Sequence, residues 1–166
     1  MTPEICFVLD NGTGTAVGYV LGAPDTPAFV KNIRNGFLDC VRNMGIVEPE
    51  AGDKNTDLPT RLRREAYMPE SMLHADHPNL IKQYPAHLHV DILPTYQRQG
   101  WGRKLLEKLF ETLKAMQVPG IHLGVAADND RASKFYDRVG FQGFNEMNDK
   151  GEVGRQGNTF YLVKNI

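Results

Sequence analysis

Tyr96-Gln97-Arg98-Gln99-Gly100-Trp101-Gly102-Arg103-Lys104 is the stretch on which the fold turns. Before it, His87-Leu88-His89-Val90-Asp91-Ile92-Leu93 alternates as a strand does, and Pro94 closes that strand. After it, Trp101, Leu105, Leu109, Leu113 and Met116 form one apolar stripe, widened by Leu106 and Phe110, so the spacing predicts an amphipathic helix over 100–116. Gly100 and Gly102 lack a Cβ, which lets the backbone curl tightly and a ligand approach it. The first turn of a helix presents unpaired N–H groups, and its dipole adds about half a positive charge. That combination binds phosphate. Arg98, Arg103 and Lys104 add local positive charge.

Outward from this turn, both flanks read as mixed strands and helices. Ile5-Cys6-Phe7-Val8-Leu9 and Ala16-Val17-Gly18-Tyr19-Val20-Leu21-Gly22 are strand-forming runs around Asp10-Asn11-Gly12-Thr13-Gly14, an antiparallel hairpin with its turn. Gly12-Thr13-Gly14 is too short for a phosphate loop and has no Lys-Ser or Lys-Thr after it. Phe29, Val30, Ile33, Phe37, Val41 and Met44 recur at helical spacing over 27–44, with Pro27 in the first turn and Gly45 at the end. Residues 48–60 are polar and rich in Pro, Gly, Asp and Asn, a loop; Arg61-Leu62-Arg63-Arg64-Glu65 follows as a basic, solvated helix face. Residues 79–84 form one or two further helical turns. Downstream come a strand at 121–125, a short helix at 131–139, a strand from Phe141 and a last strand at 159–163. Hairpin and β-helix-β units mix, which favours an α/β or α+β arrangement of layers.

The chain's 166 residues suit one domain over 1–166 and suffice to bury about 70% of the unfolded surface without a metal or disulfide staple. Nineteen Lys and Arg against twenty Asp and Glu leave a net charge of −1, which excludes general nucleic-acid binding through a basic field. An anionic ligand must therefore be held by a local device. No apolar run approaches the roughly 18–20 residues of a membrane span, and the opening Met-Thr-Pro-Glu-Ile-Cys is no signal peptide. Cys6 and Cys40 read as reduced thiols of an intracellular, cytoplasmic protein. The histidines at 74, 77, 87, 89 and 122 match no metal-ligand spacing, so no metal is expected.

The run from Asp91 through Gly102 resembles the acyl-CoA-binding signature of the GNAT superfamily of N-acetyltransferases, which ends in Gln/Arg-x-x-Gly-x-Gly/Ala; Gln97, Gly100 and Gly102 satisfy it. A second block, Val125, Asn129, Ala132, Phe135-Tyr136 and Gly140-Phe141, resembles the family's downstream pattern. The lead-in from Tyr84 to Asp91 is also similar to the acetyltransferase-like domain of some O-GlcNAcases and to small stand-alone relatives of it. The resemblance implies a mixed, mainly antiparallel sheet flanked by helices, with acetyl-CoA as cosubstrate, an amine acceptor and no metal.

The resemblance also implies roles for particular residues. Asp91, Ile92 and Leu93 would pair with the pantetheine arm through their backbone. Gln97, Arg98, Gln99, Gly100, Trp101 and Gly102, with Arg103, would cradle the pyrophosphate, and Asn129 would lie beside the pantetheine. Tyr136 would contact the cofactor and protonate the departing thiolate, since a phenol near pKa 10 suits a thiol near 8.5 to 10. For the base, His87, His89 and Asp91 share one strand face by the period of two, and His89 beside Asp91 would be a base with an orienting carboxylate. A His-Leu-His in some arylalkylamine N-acetyltransferases is offset by one residue from this pair. One residue reverses the face, so that role is not carried over.

Two departures bear on the acceptor. The family opens with a strand and one or two helices that wall the acceptor site, whereas this chain opens almost directly in the hairpin. Either the protein is longer, or it is short, or a second subunit in a homodimer supplies that wall. About sixty residues, an insertion at 27–86, also stand where the family has a tight turn, and they are expected to cover the acceptor side. The sequence thus supports an acetyl-CoA-dependent N-acetyltransferase acting by direct attack of a primary amine. The alternative is a non-catalytic acyl-CoA-binding or interaction domain in which the pocket survives and the acceptor site does not.

Overall fold

Strands β1 (Cys6–Asp10) and β2 (Ala16–Ala23) form the expected hairpin, with Cys6 opposite Leu21 and Val8 opposite Tyr19. Its turn is built by side chains: Asp10 Oδ1 accepts from the N–H groups of Gly12 (2.6 Å) and Gly14 (3.2 Å), and both glycines take positive φ. The structure, a computed structural model, describes residues 3–50, 52, 57–147 and 151–166; part of the loop expected at 48–60 lies outside them.

Between β2 and the next strand, the described residues form four α-helices. α1 (Thr26–Asn32) starts at Asp25, whose carboxylate accepts from Ala28 N–H at 2.8 Å, and passes through a wide π turn (Ile33–Phe37) into α2 (Leu38–Asn43). The helix expected over 27–44 is therefore real but carries a π bulge that periodicity did not signal. α3 (Leu58–Tyr67) is capped by Asp57 on Thr60 N–H at 2.7 Å, so the helix begins within the stretch expected as loop. α4 (Pro78–Gln83) leads into β3 (Ala86–Ile92). A 3-10 turn (Pro94–Tyr96) precedes α5 (Trp101–Ala115), followed by β4 (Gly120–Ala126), α6 (Asp130–Arg138), β5 (Gln142–Gly143), β6 (Arg155–Gln156) and β7 (Thr159–Asn165).

The strands make one seven-stranded sheet in the order β1-β2-β3-β4-β7-β5, with β6 on β7; every pairing is antiparallel except β3 with β4. This is the mixed, mainly antiparallel sheet the sequence led us to expect. On one face, Leu105, Leu106, Leu109 and Leu113 of α5 are buried against Val20, Leu88, Ile92, Ile121 and Leu123, and α6 packs beside them through Phe135 and Val139. Met116, expected in that stripe, is instead 42% exposed, because the helix ends one residue earlier. The opposite face is covered over only part of its width. Leu80 of α4 packs on Tyr161 and Val163, and Thr26 and Phe29 of α1 reach His87. Over β1, β2 and the end of β3 that face is open, with Val8, Leu21 and Leu93 exposed. Among the described residues, no helix is long and apolar enough to cross a membrane.

Candidate active site

The site begins where β3 and β4 part. Their parallel pairing covers only Ala86 with Ile121 and His87 with His122, after which each strand stays bonded to its outer neighbour alone. The result is a wedge-shaped gap in the middle of the sheet. Leu93 N–H donates to Val17 O at 2.9 Å, so by strand alternation the N–H groups of His89 and Asp91 also face β2, whereas those of Val90 and Ile92 face the gap. Ala127 N–H donates to Asn158 O, and the same alternation turns Gly124 to the gap from the β4 side. Of Asp91, Ile92 and Leu93, Ile92 turns its N–H and C=O to the gap, and the Leu93 N–H serves β2.

Both Ile92 groups are held by side chains. Asp91 Oδ1 accepts from Ile92 N–H at 2.8 Å, and Gln97 Nε2 donates to Ile92 O at 2.7 Å. Gln97 Oε1 also accepts from Arg131 on α6 at 3.4 Å, so this side chain ties the turn to β3 and to α6 and does not point into the cradle.

The cradle is backbone. Helices α1, α3 and α6 each start with a side-chain cap, the last being Asn129, whose Oδ1 accepts from Ala132 N–H at 3.0 Å. α5 has none: Gly100 stands at its N-cap with φ 84° and ψ −5°, and the first backbone bond of the helix end is Lys104 N–H to Gly100 O at 3.2 Å. The N–H groups of residues 98–103 donate to no described residue. Arg98 also takes a left-handed conformation, φ 63°. Six donors and a helix dipole thus sit uncapped beside the gap.

The side chains of the turn divide into braces and free groups. Gln99 Nε2 donates to Thr95 O at 2.9 Å and its Oε1 accepts from the Trp101 indole at 3.3 Å; Lys104 Nζ lies 4.3 Å over the Trp101 ring. Arg103 pairs with Glu107 at 2.8 Å on an exposed helix face. Arg98 makes no ion pair with any described residue and is exposed at the cradle's lip.

Tyr136 stands on α6, which is docked on the cradle: a Cβ at Gly102 would come within 3.1 Å of Phe135 Cζ. The Tyr136 ring packs on Phe135 and Phe141, at 5.2 and 5.4 Å, and burial pushes its hydroxyl up to about 12. It is a phenol that keeps its proton. His89 and Asp91 share the open face of β3, as the period of two requires. His89 stacks on Tyr19 at 5.8 Å, while the Asp91 carboxylate is taken by Ile92 N–H. No hydrogen bond joins the two.

Sequence reasoning missed a different cluster. Four histidines from separate elements meet on the covered face. His77 Nε2 donates to Arg155 O at 2.8 Å and His122 Nδ1 to Tyr84 O at 2.6 Å. Thr26 spends its one proton on Pro85 O, so His87 Nδ1 donates to Thr26 Oγ1 at 2.8 Å. Tyr161 donates to Gln156 Oε1, so His74 Nδ1 donates to the Tyr161 oxygen at 3.0 Å. The rings of His74 and His87 lie 5.4 and 5.9 Å from that of His122. Burial first, and then the neighbouring histidines, push His74 and His87 down to about 4. The cluster is a set of ring N–H donors that pins the 26–85 segment to the sheet. No periodicity could reveal it, because its members are far apart in the chain.

Comparison with known proteins agrees with this geometry. The model of the acetyltransferase (GNAT) family matches residues 72–141, which hold the parting strands, the cradle and Tyr136. A solved structure described as SsHAT superposes with a TM-score of 0.85 at 36% identity, over 99% of this chain and 74% of that one. The Drosophila melanogaster polyamine N-acetyltransferase superposes with a TM-score of 0.52 at 16% identity, covering 98% of this chain and 75% of that one, a likeness of fold alone. In sequence, 48 residues are 46% identical to the Escherichia coli (strain K12) [ribosomal protein bS18]-alanine N-acetyltransferase. That match spans 29% of this chain and about a third (32%) of the length of that curated relative.

Proposed function

The chain belongs to the GNAT family of acetyltransferases, and from that membership and the site's geometry we propose that it transfers an acetyl group from acetyl-CoA to a primary amine. The observation that carries the proposal is the uncapped start of α5 beside the gap between β3 and β4. The pyrophosphate takes the N–H groups of residues 98–103, with Arg98, which pairs with no described carboxylate, as a cation at the lip. The pantetheine arm fills the gap against Val90 and Ile92, with Asn129 on the opposite wall.

Chemistry follows from what each group can donate. A neutral amine attacks the thioester carbonyl, forming the C–N bond. The negative charge that grows on the carbonyl oxygen is met by Ile92 N–H, once the Asp91 carboxylate has left it. The C–S bond then breaks and Tyr136 gives its proton to the sulfur; a buried phenol held near 12 is protonated at every working pH. The proton that the amine loses goes to Asp91 or His89 on the open face, directly or through water. The insertion at 27–86, within one domain, walls part of the acceptor side. A kinship with the small relatives of O-GlcNAcase acetyltransferase-like domains, suggested by the Tyr84 to Asp91 lead-in, and a cytoplasmic residence belong to the same proposal.

The test is release of free thiol from acetyl-CoA in the presence of an amine panel. Tyr136→Phe is expected to lower kcat by about 100-fold, the usual scale of a positioned acid, while acetyl-CoA binding stays unchanged. An unaltered rate would remove Tyr136 from the reaction. Absence of thiol release with every amine would defeat the proposal.

A further inference from the structure

The open half of the sheet face has a chemistry of its own. Val8 is 65% exposed, Leu93 52% and Leu21 47%, on strands whose opposite sides are buried under α5. Within this face lies an open hollow of about 210 Å³ lined by Val8, Ala16, Gly18, Tyr19, Asp91 and Leu93. Five of the six are apolar or aromatic, and the sixth is a carboxylate. The Tyr19 ring is held in place by the His89 ring, 5.8 Å away and inclined by 26°. Asp91 connects the hollow to the gap, because its Oδ1 lies 2.8 Å from the Ile92 N–H that faces the thioester position.

We propose that this hollow holds the acceptor's body, and that the acceptor is a monoamine on an aromatic or compact apolar body, its ammonium on Asp91. This rests on the acetyl-transfer reading and names its substrate class. A volume below the roughly 300–1,000 Å³ of pockets for drug-sized ligands admits one ring or a short branched chain. Charge complementarity favours an acceptor with one cation: Asp91 is the single carboxylate among the residues that line the hollow, and Asp10, along the hairpin, turns its Oδ1 to the N–H groups of Gly12 and Gly14. A polyamine or a basic peptide would leave its second charge against Val8, Tyr19 or Leu93 without a partner.

The contact also sets an order of binding. The coenzyme draws Ile92 N–H away from Asp91, and the freed carboxylate then takes the ammonium. The amine is therefore bound more tightly by the coenzyme-loaded protein than by the free chain.

The experiment titrates 2-phenylethylamine and spermidine into the full chain, with and without coenzyme A, and follows amide and methyl resonances by NMR. Turnover of both amines is measured beside it. We expect 2-phenylethylamine to shift Val8, Tyr19 and Leu93, more strongly when coenzyme A is present, and to be the better substrate. Tyr19→Ala should raise its KM about tenfold and leave that for acetyl-CoA unchanged, the scale of one lost aromatic contact. Val8→Lys, at an exposed position that does not threaten the fold, should do the same by repelling the ammonium. Shifts elsewhere, or spermidine turned over faster with neither variant having an effect, would overturn the proposal. Failure of coenzyme A to bind would instead defeat the acetyl-transfer reading, and the shifts in the free chain would still judge the hollow.

Discussion

Gly100→Val is expected to weaken acetyl-CoA binding by at least about 100-fold, the loss of two charge-assisted hydrogen bonds from a cradle that no longer closes. The reason is conformational. Gly100 holds φ at 84°, where a β-branched residue is strained, and relief of that strain reorients the N–H groups of Gly100 and Trp101. Space inside the protein is not the issue, since nothing lies within 4 Å of a Cβ built there. The fold should survive with a loss of roughly 1–2 kcal/mol, the cost of one left-handed L-residue, because α5 is anchored by its buried leucines. Circular dichroism and thermal melting separate the two effects. A variant that melts nearly as the parent yet binds as tightly would show that residues 98–103 are an ordinary turn.

Mild acid should loosen the 26–85 segment. His74 and His87 hold folded-state values of about 4 against 6.5 for the unfolded chain, and burial pushes His122 down as well. Between pH 6.5 and 4 the unfolded state therefore binds more protons than the folded one. Stability rests at its full value above about 6.5 and falls as pH drops through that window. A fully buried group shifted this far contributes at most about 3 kcal/mol, and the partly exposed His74 contributes less. The groups hydrogen-bonded to them, Thr26, Tyr84 O and the Tyr161 hydroxyl, are neutral; Asp76 accepts from Gln156, and its charge and that of Glu152 act on the Tyr161 hydroxyl. Urea denaturation at half-unit steps from pH 7 to 4.5 should show a steady loss that is reduced in a His87→Gln variant. A flat profile over that range would mean that the cluster is already solvated.

The two halves of the molecule were legible to different degrees, for physical reasons. The α5 stripe, the hairpin and the strand through His87–His89 carry their burial as periodicity, and the structure places each within a residue or two of its expected bounds. The cradle was legible because glycine at a strand-to-helix turn has few purposes. The sequence could not say which backbone groups face the gap, since that depends on which partner each strand keeps; Leu93 turned out to serve β2. Nor could it separate Gln97, which braces Ile92, from the residues that line the cradle. The histidine cluster was invisible because His74, His77, His87 and His122 meet only after four elements have packed. The start of α3 at Asp57 was missed for a simpler reason: a polar stretch hid an Asp cap.

The central claim is that an uncapped helix start beside parted strands is a coenzyme site. Calorimetric titration of acetyl-CoA and of free coenzyme A into the purified chain tests it most directly. The account predicts saturable binding of both at micromolar concentration, weakened in Gly100→Val. No heat of binding up to millimolar coenzyme would contradict it, and would leave the open turn at 98–103 as structure without a ligand.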